Sequence, residues 1–107
     1  MTDRELLELT AKAAGYKIAW EGGCVTGWMA GGSWWNPLED DGDALRLAVK
    51  IGMEFAADDE ATHCAFAYAR VRGAGDSHIF EPVVDDPCKA VRRAIVRAAA
   101  ALVAKEK

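Results

Sequence analysis

Between Gly22 and Trp35 the chain holds five glycines (Gly22, Gly23, Gly27, Gly31, Gly32) and three tryptophans. Glycine lets a backbone approach a ligand closely, and an indole ring stacks on planar groups. Trp34, Trp35 and Asn36 then offer two stacking surfaces and an amide able to read the edge of a base. Arg70 and Arg72 leave the end of an alternating segment, and Arg92, Arg93 and Arg97 lie on a helical one. Guanidinium groups clamp phosphates in bidentate fashion. Together these types suit a small anionic ligand of nucleotide type, with Trp34, Trp35, Asn36, Arg70 and Arg72 as the expected contacts. A hairpin whose tryptophans fill the core explains the same segment, as does a solvated helix face for the later arginines.

Other constellations are weaker. Glu39-Asp40-Asp41-Gly42-Asp43 lacks the spacing and terminal Glu of an EF-hand loop, and capping of the helix that follows explains it more simply. His63 and His78 fall on neighbouring predicted strands, without a third spaced ligand for a metal beside Cys64. Neither a G-x-G-x-x-G nor a Walker pattern occurs. With no nucleophile–base pair at a recognisable spacing, neither an enzyme nor a cofactor site is expected.

The elements that must position these residues read as follows. Thr2 and Glu5 form a T-x-x-E capping box, which opens a helix over Asp3–Ala14 that ends at Gly15. Tyr16–Trp20 and Cys24–Met29 read as a hairpin. Pro37 disfavours helix at Asn36, so the Trp34–Leu38 stretch is extended or turned. Ala44–Ile51 is apolar at helical spacing and closes at Gly52, with Leu45 expected in the core. Met53–Ala57, Thr62–Val71 and Ser77–Val83 are strands, the second alternating Cys64, Phe66, Tyr68 and Arg70 against His63, Ala65, Ala67 and Ala69. Asp86-Pro87 starts a last helix running to about Lys105. Its buried stripe is Val91, Ala94, Ile95, Ala98 and Leu102, and Val96, Ala100 and Val103 fall on the far side. The fold class is therefore α+β: a single domain over residues 1–107 in the order α-β-β-α-β-β-β-α, with a mainly antiparallel sheet packed with helices.

Composition bounds the partners. The 107 residues are 51% hydrophobic and 28% charged, enough for one packed core. A net charge of −4 disfavours non-specific nucleic-acid binding, which needs cations to displace counterions from phosphates. The start Met1-Thr2-Asp3-Arg4-Glu5 lacks a signal-peptide pattern, and no apolar run approaches a membrane span. Cys24, Cys64 and Cys88 are accordingly expected as reduced thiols in a cytoplasmic protein. A sheet with an open edge, and valines on the far side of the last helix, lead us to expect a homo-oligomer, most simply a dimer.

Two long runs carry a resemblance: Trp35-Asn36-Pro37-Leu38-Glu39-Asp40-Asp41-Gly42-Asp43-Ala44-Leu45-Arg46-Leu47-Ala48-Val49-Lys50, and Asp86-Pro87 continuing through Ala90-Val91-Arg92-Arg93-Ala94-Ile95-Val96-Arg97 to Ala100. They resemble the phage ABA (α/β/α) sandwich domain, small bacteriophage proteins of unknown function, and more distantly the NinX-type phage proteins through the W-x-P element. Ile51, Cys88 and Lys89 depart from the family pattern. The resemblance implies a layered fold and a phage accessory protein in the host cytoplasm. It supplies no catalytic residues. Two functions follow as expectations. One is a non-enzymatic protein that sequesters a nucleotide-type host immune signal. The alternative is a protein-binding inhibitor or adaptor acting on a host or phage protein.

Overall fold

The computed structural model describes residues 2–16, 18–19, 27–29, 34–58, 66–71, 79–83 and 86–104. Helix α1 spans Asp3–Ala14. The Thr2 hydroxyl accepts the Glu5 N–H at 3.1 Å, and the Thr2 N–H donates to the Glu5 carboxylate at 3.4 Å. Both halves of the capping box are thus present. Gly15 ends the helix at φ 77°, a left-handed conformation costly for any residue with a Cβ. We expect Thr2→Ala to cost about 1 kcal/mol, the usual value for a lost N-cap; urea denaturation followed by circular dichroism measures it.

Strands β1 (Ile18–Ala19), β2 (Gly27–Met29) and β3 (Trp34–Trp35) form one antiparallel sheet in that order. Trp34 and Trp35 pair with Trp28 and Gly27. The stretch expected to be extended or turned is therefore a short strand followed by a turn, which adds one strand to the expected order. Pro37 restricts only its predecessor, so pairing at Trp34 and Trp35 is unimpeded.

Helix α2 spans Asp41–Ile51, starting three residues earlier than its apolar pattern. Asp40 is the N-cap, its carboxylate accepting the Asp43 N–H at 3.0 Å, so the acidic run is the first turn itself. Its buried residues are Ala44, Leu47 and Ala48, with Ile51 packed beside the core. Leu45, expected in the core from the sequence, is not a core residue; it is 53% exposed. One residue is a 100° step around a helix, so Ala44 and Leu45 cannot share a stripe spaced i, i+3, i+4, i+7.

Strands β4 (Met53–Asp58), β5 (Phe66–Val71) and β6 (Ile79–Pro82) make the second antiparallel sheet, with β5 central. Ala67 and Ala69 are fully buried on the face that carries α3 (Pro87–Ala104). Their small side chains let the helix lie close to the sheet. On its other side α3 packs against α1, where the Thr10 hydroxyl donates to the Val96 carbonyl at 3.1 Å. Ile95 is buried as expected, but Val96 and Ala100 are buried too, at 0% and 4% exposure. Val103 is half-buried. The far side of α3 is therefore covered by this chain's own α1, and the argument that it needs a second subunit falls. A helix between two layers needs apolar groups on both packed sides, which its alanine-rich sequence provides.

Candidate functional site

The expected ligand contacts separate in space. Trp35 is 2% exposed and packs with Leu7 and Ala11 in a small core cluster bordered by Tyr16 and Leu38. The Tyr16 ring meets it edge-on, with centroids 5.7 Å apart. Neither face of this indole is open to a base. Asn36 is buried and closes the turn into α2. Its side-chain oxygen accepts the Leu38 N–H at 3.1 Å, and its own N–H donates to Asp43 at 2.9 Å. Its carbonyl accepts from Glu39 and Asp40. The amide oxygen that was to read a base edge thus holds the turn. Of Trp34 only the backbone is described, and Arg72 lies outside the described residues. Arg70 sits on the sheet face turned away from α3, with Nε 3.3 Å from the Glu54 carboxylate. The structure does not bring Trp35 and Asn36 together with Arg70, because α3 and the sheet lie between them.

The later arginines are structural ties. Arg92 joins α3 to the entry of α2, pairing with Asp41 and donating to the Leu38 carbonyl at 2.9 Å. Arg93 spans Asp3 of α1 and Glu81 of β6, and Arg97 also pairs with Glu81. Arg4 and Arg46 pair with Glu8 and Asp43 on their own helices. Every arginine among the described residues is therefore within ion-pair distance of a carboxylate. An incoming phosphate has to displace that carboxylate at each of them.

Two surfaces stand out among the described residues. The first is the outer face of the β4-β5-β6 sheet. Tyr68 and Phe80 stand opposite each other in register, their rings 6.3 Å apart and inclined by 45°. Phe80 is 56% exposed, and the Arg70–Glu54 pair adjoins it along β5. The second is a groove of about 380 Å³ between α2, β4 and the start of α3. Ala44, Leu45, Phe55, Ala57, Val91 and Ile95 line it, with the Asp41–Arg92 pair beside them. Both surfaces follow from period-2 alternation, which sends Tyr68 and Phe80 outward and Phe55 and Ala57 toward the helix layer. The alternation of Tyr68 and Arg70 against Ala67 and Ala69 was readable in the sequence. Their place on the face turned away from α3 was not, since it depends on which face α3 covers.

Among the described residues no group of three His, Cys, Asp or Glu side chains could hold a metal ion. Cys88 is a free, exposed thiol, while His63, His78, Cys24 and Cys64 lie outside the described residues. No described helix is long and apolar enough to cross a membrane. No protein-family model, curated protein or solved structure matches the chain.

Proposed function

We propose that this chain is a non-enzymatic binding protein that acts by contact with another protein, through the outer sheet face bearing Tyr68, Phe80 and Arg70. The observation that carries this reading is the pairing of exposed aromatic surface with neutralised cations. Phe80 and Tyr68 offer apolar area, and Arg70 already holds Glu54. Tyr and Arg are enriched at the energetic centres of protein interfaces, where apolar contact and paired charge coexist. A nucleotide-sequestering protein needs an open indole face and cations free to meet phosphate. Trp35 and the described arginines are engaged otherwise, so the protein-binding alternative is the better supported of the two. The resemblance to phage sandwich proteins supports an accessory role in a host cytoplasm, where such a protein would block or bridge a host or phage factor.

Immobilised protein and its Phe80→Glu variant, each exposed to bacterial host lysate, test the reading. A stoichiometric protein partner should be retained by the parent and reduced at least ~10-fold by the variant, a loss typical of a hot-spot contact. Calorimetry against cyclic and ADP-ribose-derived nucleotides at tens of micromolar should give no binding heat. Saturable nucleotide binding there would overturn the protein-contact reading and return the function to ligand sequestration.

A further inference from the structure

We propose that a second copy of this chain docks along the free edge of β4, extending the sheet to six strands across a two-fold axis centred on Phe55. The inference is independent of the partner face proposed above, because it uses the sheet edge and the groove rather than the outer sheet face.

The two edges of the β4-β5-β6 sheet differ. On β6, Pro82 has no N–H to donate, and Arg97 donates to the Phe80 carbonyl. That edge is blunted within the chain. Among the described residues strand β4 pairs with β5 alone, and its six residues, Met53-Glu54-Phe55-Ala56-Ala57-Asp58, contain neither proline nor lysine. A continuous unprotected edge of this kind is a template for another strand.

This edge adjoins exposed apolar side chains. Leu45 and Val49, one turn apart on α2, are 53% and 73% exposed, and Phe55 is 37% exposed. Phe55, Ala57 and Leu45 line the same groove. An antiparallel strand that meets its own copy does so about an axis normal to the sheet, which keeps the helices of both copies on one side. The two grooves then face each other, and each α2 stripe runs beside its counterpart.

The groove's lack of net charge suits a second copy, and charge along β4 selects the register. Asp41 is neutralised by Arg92 beside the groove, and the apolar stripe carries no charge to attract a charged partner. Such a surface complements itself. Centring the pairing on Ala56 would set Glu54 opposite Asp58 of the other copy twice, and like charges directly opposed are destabilising. Centring it on Phe55 sets Glu54 opposite Ala56 and Met53 opposite Ala57, and brings the two phenylalanines together. Five paired residues span about 17 Å, and with the helix layer about 10 Å below them the contact buries on the order of 1,000 Å² in total. That reaches the floor for a specific interface. Each copy carries a net charge of −4, so added salt should tighten the association by screening repulsion.

Sedimentation equilibrium of the full chain between 1 and 100 μM should show twice the 11.5 kDa chain mass, with dissociation weakened as salt rises. The variant Leu45→Glu with Val49→Glu should fold, since both side chains are exposed, and should sediment as a monomer. Circular dichroism checks that its melt stays cooperative. For the register, Cys24, Cys64 and Cys88 are replaced by Ser and a single cysteine is placed at Phe55 or at Ala57. Directly opposed residues have Cα atoms about 4.5–5.5 Å apart, within disulfide range. Phe55→Cys should therefore oxidise to a covalent dimer and Ala57→Cys should not. A monomer at 100 μM, a dimer that survives the double variant while it remains folded, or cross-linking at Ala57 in place of Phe55 would each overturn the proposal.

Discussion

Ile95→Asp is expected to abolish cooperative folding, whereas Leu45→Asp is expected to leave a folded chain. Ile95 is 2% exposed near the middle of α3, the helix on which α1, α2 and the β4-β5-β6 sheet all pack. A carboxylate there loses its hydration, and Arg92, which lines the same groove, is already paired with Asp41. Burial of an unpaired ionised group costs several kcal/mol even after the group shifts its protonation. A domain of this size holds about 5–15 kcal/mol of stability in total, and lost packing of the isoleucine adds to the deficit. Leu45 is a leucine on a helix as well, yet more than half of it faces water. Surface substitutions of this kind usually fall within about 0.5 kcal/mol. Thermal melts by circular dichroism at low micromolar concentration separate the two. A cooperative melt for Ile95→Asp would mean that α3 is not the centre of the packing, and loss of fold in Leu45→Asp would place Leu45 back in the core.

These two residues mark where the sequence is informative and where it stops being so. Local signals survive intact. The Thr2–Glu5 box, the left-handed glycines at 15 and 52, and the alternation along β5 each depend on a few neighbouring residues, and each appears in the structure. Periodicity identifies helices reliably but selects a face only when the pattern is sparse. In Ala44–Ile51 six of eight residues are apolar, so several stripes fit equally well and Leu45 is as plausible as Leu47. The last helix has the same degeneracy. Its far side looks overly apolar for solvent, and the missing fact was that α1, more than 80 residues earlier, lies on it. The arginines fail for a related reason. A guanidinium held by a carboxylate 90 positions away, as Arg93 is by Asp3, looks identical in sequence to one waiting for a phosphate. Asn36 shows the same ambiguity at short range, because one amide can read a base or close an Asx turn.

Trp35 gives the sharpest test of whether the glycine–tryptophan segment is a binding site or a piece of core. Trp35→Ala is expected to lose about 3–5 kcal/mol of stability, the range for removing a buried large aromatic side chain. The indole fills the space between α1 and the turn into α2, against Leu7, Ala11, Tyr16 and Leu38. Its removal also frees the Tyr16 ring, which holds its edge against the indole while Lys50 Nζ lies 4.5 Å from its centroid. Cavity formation and loss of the edge-to-face contact therefore act together. Trp35→Phe keeps an aromatic partner for Tyr16 and much of the buried area, so it should cost clearly less. Urea titration of the three proteins gives the values directly, with the denaturation slope showing whether the unfolded state has changed. A ligand-stacking tryptophan would behave in the opposite way. Its alanine variant would keep its stability within about 0.5 kcal/mol, as surface changes do, and lose affinity for a nucleotide instead. If Trp35→Ala follows that second course, Trp35 is not the core residue described above, and the sequestering function regains its principal contact.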